Sequence, residues 1–356
     1  MKKMTKAVLA VLICILTIFI IIRVATVSYY NSQLEIFDGN SDVVSISVLG
    51  SRTCIMTEDG SVYIMGEYYE EGPSGLGLNS KQLIGYKNYR STLIFNNSAI
   101  YASLTNIGGI IIDASNQLYY FGTQKEYLTP TPIADNCRKA TASYKTVCFL
   151  TTSDELYLLD ISNPQDKTLI MSDVKDIQYK GANSVCVLTN DGQLYRWKDF
   201  SPLKAGEQPE LLAQNVEAFS CSPSRYSEET LCFGYIDLDG NAYVKLHEYP
   251  YPKRINNDTK ATQIVATHNG VGILSETGRV LYYGDDFLSS DSYQSEELHT
   301  NAKYIYASDS SLSLVTNNGN VLFWGVSENG CFGRKGAHIY RIPDEPCAFD
   351  PSLVER

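Results

Sequence analysis

One short pattern recurs seven times along the chain. It reads TEDGSVYIMG at 57–66, DASNQLYYFG at 113–122, TTSDELYLL at 151–159 and TNDGQLYRW at 189–197. DLDGNAYVKL at 237–246, SETGRVLYYG at 275–284 and TNNGNVLFWG at 316–325 complete the set. Six of the seven copies hold a turn signal with Gly, or Asn116 where Gly60 stands, at a place where φ > 0 reverses the chain. Apolar and aromatic residues suited to a strand follow. Counted from Tyr63, the equivalents are Tyr119, Tyr157, Tyr195, Tyr243, Leu281 and Leu322, at steps of 56, 38, 38, 48, 38 and 41 residues. A unit near 40 residues without helical periodicity has the length of one four-stranded propeller blade.

The flanks repeat as well. Upstream of each hairpin lies a strand-like segment: VVSISV (43–48), AIYASL (99–104), KATASY (139–144), KDIQYK (175–180), VEAFSC (216–221), QIVATH (263–268) and KYIYAS (303–308). An apolar strand such as TCIMT or SVCVLT leads into the hairpin, and a weaker one such as STLIFNN or KTLIMSD follows it. Each repeat therefore reads as four strands, A to D. A lone blade exposes two apolar faces, whereas blades arranged radially cover one another. The expectation is all-β: a seven-bladed β-propeller of antiparallel four-stranded blades over residues 33–356. Two segments could supply the last outer strand, QLEIFDG (33–39) and IYRIPDEPCAF (339–349).

The order apolar strand, linker, apolar strand, T-x-D-G-x-V-Y-x-x-G resembles the regulator of chromosome condensation repeat family. Residues 43–77 and 316–333 carry the pattern most fully, including the Gly-rich loop GPSGLG (72–77). The resemblance implies a seven-bladed propeller that binds other proteins. Some members act as exchange factors for a nuclear GTPase and bind chromatin; exported bacterial members, closest in setting to this chain, inhibit β-lactamases. The His that the family places between the A and B strands is absent, and Arg52, Gly108, Thr146, Ser184 and Gly270 stand there. What carries over is the scaffold and the habit of binding proteins.

The setting follows from the first 32 residues. Lys2, Lys3 and Lys6 precede an apolar run from Ala7 that continues, past Arg23, to Val27. With Arg23 snorkelling to the interface, about 20 residues can cross a bilayer of roughly 30 Å. The basic residues before it favour a cytoplasmic N-terminus. No small-x-small cleavage site stands between Arg23 and Ser32, so an uncleaved signal-anchor is expected. The chain thus divides into a cytoplasmic 1–6, a transmembrane 7–27, a short stalk at 28–32 and an extracytoplasmic propeller. Without the four cations of the first 30 residues, the remaining 25 basic residues face 40 acidic ones, a net charge near −15. Such a surface disfavours nucleic acid, because neutralising phosphate needs Lys and Arg.

No cofactor or metal motif stands out. Cys54, Cys148 and Cys186 share one place in the B strand, where a buried thiol serves as a small hydrophobe. Cys137, Cys221, Cys232, Cys331 and Cys347 lie elsewhere and leave room for a bridge such as Cys331–Cys347. No C-x-x-C or G-x-S-x-G is present, and the four His are scattered over different repeats. A non-catalytic protein is expected.

In an up-and-down blade the B–C hairpins emerge at one end, and the A–B and C–D loops at the other. The hairpin end is short and repetitive. The opposite end varies, and variable loops on a rigid frame are where binding usually resides. Tyr and Arg dominate binding hot spots, which nominates Tyr68, Tyr69, Tyr144, Arg225 and Tyr226 as partner contacts. A protein partner is the favoured reading. Cell-wall glycan is the alternative, with Glu70 and Glu71 beside Tyr68 and Tyr69 as carboxylates next to aromatic platforms.

Overall fold

The structure is a computed structural model. It describes residue 17 and residues 43–49, 52–67, 87–96, 98–105, 108–122, 129–143, 146–180, 184–197, 208–224, 227–246, 251–255, 259–284, 294–308, 310–327, 338–340 and 346–348. These residues form seven antiparallel sheets, each built from one repeat in strand order A-B-C-D. The inner strands are Val43–Leu49, Ala99–Thr105, Cys137–Ser143, Val174–Lys180, Val216–Ser224, Ala261–Ala266 and Ala302–Ala307. The chain is a seven-bladed β-propeller.

The last blade settles the choice of outer strand. Its third strand, Val321–Ser327, pairs with His338–Tyr340 and also with Cys347–Ala348. The C-terminal segment therefore completes blade 7 in two pieces, while residues 33–39 lie outside the described residues. Among the described residues every blade is contiguous in sequence, and blades 7 and 1 meet by packing.

The core is divided among the junctions. Seven buried clusters each lie between two neighbouring blades; one joins Val43, Ile46 and Ile55 of blade 1 to Val315, Val321 and Phe323 of blade 7. Fully burying a side chain of this size is worth about 1.5–3 kcal/mol. A blade removed from the ring would lose that on both faces.

The repeated hairpin turns out to be a stitch. In all seven copies the same position has a left-handed φ: Gly60, Asn116, Asp154, Gly192, Gly240, Gly278 and Gly319, between 62° and 84°. In the fourth, Gly192 N–H donates to the Thr189 carbonyl, and Thr189 N–H to that of Gln193. This is a three-residue loop, a turn followed by one left-handed residue. The carbonyl of that residue then accepts from the first amide of the next blade. Ala99, Cys137, Val174, Val216, Ala261 and Ala302 donate in this way at 2.8–2.9 Å. A β-carbon on Gly60 would lie 2.8 Å from the Ala99 nitrogen, so at that copy only Gly fits the stitch.

The residue that opens the hairpin has its own task. Its side-chain oxygen accepts the N–H four residues on, in Asp113–Gln117, Thr151–Glu155, Thr189–Gln193, Asp237–Asn241, Ser275–Arg279 and Thr316–Asn320. Thr, Ser and Asp are interchangeable because each presents a short oxygen. The Asp-rich DLDGNA turn is explained the same way: Asp237 accepts from Asp239 and Asn241. The half-buried tyrosines of the third strands put their rings into the sheet and their hydroxyls on the turn, as Tyr119 does on Asp113 at 3.0 Å.

Among the described residues no helix is long and apolar enough to cross a membrane. Of the expected anchor only Thr17 is described, as helical, and the stalk lies outside the described residues.

The described cysteines at 54, 137, 148, 186, 221, 232 and 347 are buried thiols. Cys347 Sγ donates to the Ala348 carbonyl at 3.7 Å. Cys331 itself lies outside the described residues. Burial pushes the Cys54 and Cys137 thiols up to about 12. That keeps them protonated and unreactive, as a small-hydrophobe role requires.

Candidate functional site: the channel wall and the end opposite the hairpins

Each inner strand is the edge of its sheet, so one side of its backbone has no partner within the blade. Between the first and third residue of every inner strand the pairing slips by one. The bulge lets positions one and four both turn toward the preceding blade. All fourteen residues at these positions are buried, from Val43 and Ile46 to Ala302 and Ile305. Positions three and five face the following blade at the channel wall.

There they hold the next blade's free edge. Leu104 N–H donates to Ser47 Oγ at 3.0 Å, and Cys221 N–H donates to Gln178 Oε1 at 3.0 Å. Gln178 Nε2 donates to the Phe219 carbonyl. Ala266 N–H donates to Ser220 Oγ at 2.9 Å and Ile305 N–H to Gln263 Oε1 at 3.0 Å. At the closing junction, Tyr306 donates its hydroxyl to the Val44 carbonyl, tying blade 7 to blade 1. Buried backbone groups must be paired, and at these five junctions a side chain of the neighbouring inner strand does it.

Blades 3 and 4 differ by using charge. Lys139 Nζ is ion-paired with Asp176 Oδ1, each side chain about a quarter exposed. Burial works against the Lys139 ammonium, but Asp176 and Tyr101 more than offset it, so its pKa lies above the ordinary lysine value. Burial likewise raises the Tyr101 phenol, against the pull of Lys139. The space enclosed by these strands is about 250 Å³ and is lined by Ser45, Ser103, Thr141 and Tyr306 among others. Chemically it offers hydroxyls, one amide and the Lys139 ammonium, whose charge is paired with Asp176.

The end opposite the hairpins is uneven. In blade 5 the inner strand Val216–Ser224 and its partner Ser227–Asp237 run for 9 and 11 residues, against 6 or 7 for their counterparts. Pairing continues to Ser224 opposite Ser227. At about 3.3 Å per residue the extra pairs carry this hairpin several ångströms beyond the other blades. Arg225 and Tyr226 are the two residues that link its strands, and they lie outside the described residues. So do Tyr68, Tyr69 and Tyr144; none of the five nominated contacts is described, and nothing brings them together or separates them.

Sequence reasoning missed the inner-strand residues Lys139, Asp176, Gln178 and Gln263. A signal was available: long polar side chains at positions three and five, between positions that are always apolar.

No family model matches the chain, and no curated protein matches it. Solved structures do. A chain in the crystal structure of the mitotic checkpoint complex is similar at a TM-score of 0.57 and 11% identity, covering 83% of this chain and 94% of that one. Human WBSCR16 is similar at 0.56 and 14%, over 73% and 84% of the two chains. PorZ, a bacterial surface component of the type-IX secretion system of Porphyromonas gingivalis, is similar at 0.52 and 11%, over 87% of this chain and 39% of that one. At such identities the likeness shows a shared fold, and the fold is the propeller.

Proposed function

We propose that this chain is a membrane-tethered, extracytoplasmic propeller of the regulator of chromosome condensation repeat kind. In this reading it binds another protein, without catalysis, through the end opposite its hairpins. The observation that carries the reading is the difference between the two ends: one is stitched blade to blade by the same bond, the other carries an extended hairpin at blade 5. The lysine-flanked apolar run at 7–27 and the acidic remainder support export and argue against nucleic acid. Propellers of this shape occur in the mitotic checkpoint complex and in PorZ, a component of a secretion system.

Glycan is the second reading, favoured by the hydroxyl-rich channel with Tyr101 and Lys139 in its wall. The detergent-solubilised full chain, immobilised and offered envelope proteins in one arm and cell-wall glycan in the other, separates the two. Protein retention that is lost on replacing Arg225 and Tyr226 together by Ala supports the proposal. Glycan retention with no protein partner supports the alternative.

A further inference from the structure

The cysteines at the shared B-strand position face the next blade. Register places Cys54, Cys148 and Cys186 directly opposite position five of their own inner strands, Ser47, Thr141 and Gln178. Such cross-strand neighbours share one face of the sheet. What each meets on the next blade is therefore set by that blade's inner strand. Cys54 packs in a cluster with Leu104, and the residue equivalent to Leu104 in the blade after Cys148 is Tyr179. At the junction of blades 4 and 5 the equivalent residue is Cys221.

Two observations bring Cys186 and Cys221 together. Gln178, opposite Cys186, accepts from both the N–H and the Sγ of Cys221, at 3.0 and 3.7 Å. Both cysteines belong to the one buried cluster between these blades. The nearby Cys232 is on the other face of its blade, with its Sγ 3.5 Å from the Gly270 carbonyl and its packing toward blade 6.

We propose that Cys186 and Cys221 are a disulfide-forming pair that links blades 4 and 5 covalently when the protein meets an oxidant. Each thiol gives up its proton and the pair gives up two electrons; the S–S bond forms as the disulfide of an external oxidant, such as oxidised glutathione, is reduced to two thiols. Exchange needs an attacking thiolate with access to the incoming disulfide. Both residues are buried, so the bond forms as the blades dock or while the junction is transiently open. The pairing rests on geometry alone; its occurrence in the cell rests also on the proposed export, since disulfides persist in oxidising compartments.

The test uses the full chain in detergent, purified reduced. It is held with oxidised glutathione in sub-denaturing urea, then denatured, alkylated and digested for mass spectrometry. The expected result is a cross-linked peptide joining Cys186 to Cys221, with Cys54 and Cys148 alkylated. In Cys221→Ser, Cys186 should be alkylated too. Full alkylation of both in the oxidised wild-type protein, or pairing of either with Cys232, overturns the proposal, and the wild-type readout does not depend on any variant folding. A second sample, thiol-trapped in intact cells before lysis, separates the two readings. A bond found there supports both. Thiols there, with the bond formed in the purified chain, leave the pair standing and count against export.

Discussion

The two ends of each inner strand do the same job in different ways. At the hairpin end, six successive junctions are closed by one kind of bond, from a first-strand amide to a left-handed residue's carbonyl. Along the channel, the next blade's free edge is held by Ser47, Gln178, Ser220, Gln263 or Tyr306, according to the junction. A backbone-to-backbone stitch demands one backbone shape, and so the sequence repeats wherever that shape is made. A side-chain staple demands only that some oxygen or N–H arrive, and so residue types drift.

The largest effect should come from breaking the stitch. Gly60→Val puts a β-branched residue at φ +80° with its Cβ against the Ala99 and Ser98 backbone. Left-handed strain of about 1–2 kcal/mol adds to overpacking of about 1–3 kcal/mol. Urea unfolding should show a loss of about 3 kcal/mol or more. A loss below about 1 kcal/mol would mean that the stitch yields easily.

The channel staple should cost less. Gln178→Leu removes the partner of the Cys221 amide and the Phe219 carbonyl at a wall that water can reach. A loss of about 1–2 kcal/mol is expected in the same assay. An effect as large as that of Gly60→Val would erase the contrast.

Acid offers a finer comparison within the hairpin end. Burial alone would raise the Asp113 carboxyl, but hydrogen bonds from Ser115, Gln117 and Tyr119 outweigh it and hold the pKa below the ordinary value. A folded pKa below the unfolded one gives stability that is present above about pH 4 and lost as pH falls through the folded value. Asp113→Thr substitutes the residue used at Thr151 and Thr189. It should flatten the fall in melting temperature between about pH 4 and 2, the removed part being about 1 kcal/mol. An unchanged acid limb would show that these bonds do not favour the carboxylate.

The smallest effect tests how far Gly and Asn are equivalent. Asn116 has the same left-handed φ as Gly60, and Asn is among the residues that tolerate it. Asn116→Gly should therefore stay within about 0.5 kcal/mol of wild type by urea unfolding.

The same contrast explains what could be read from the chain. Seven hairpins, seven inner strands and the blade order were legible because each is tied to a backbone shape that few residues satisfy, as at Gly60 and Gly192. Lys139–Asp176 and Gln263 were not, because a polar residue at position three or five is meaningful only once its neighbour blade is known. The closing strand was ambiguous for a related reason: outer strands such as Lys253–Arg254 are short, exposed and weakly patterned. Partner contacts are the least legible of all, since their logic belongs to a second molecule.

The proposal that recognition sits opposite the stitched end can be tested by comparing the two ends with the captured partner in hand. Binding of the full chain would be measured for the Arg225→Ala, Tyr226→Ala double variant and for Leu238→Ser, an exposed residue on the hairpin of the same blade. The expected result is a loss of about 30-fold or more for the first, the scale of a hot spot, and an unchanged affinity for the second. A loss confined to Leu238→Ser would place the interface on the hairpin end and contradict the account.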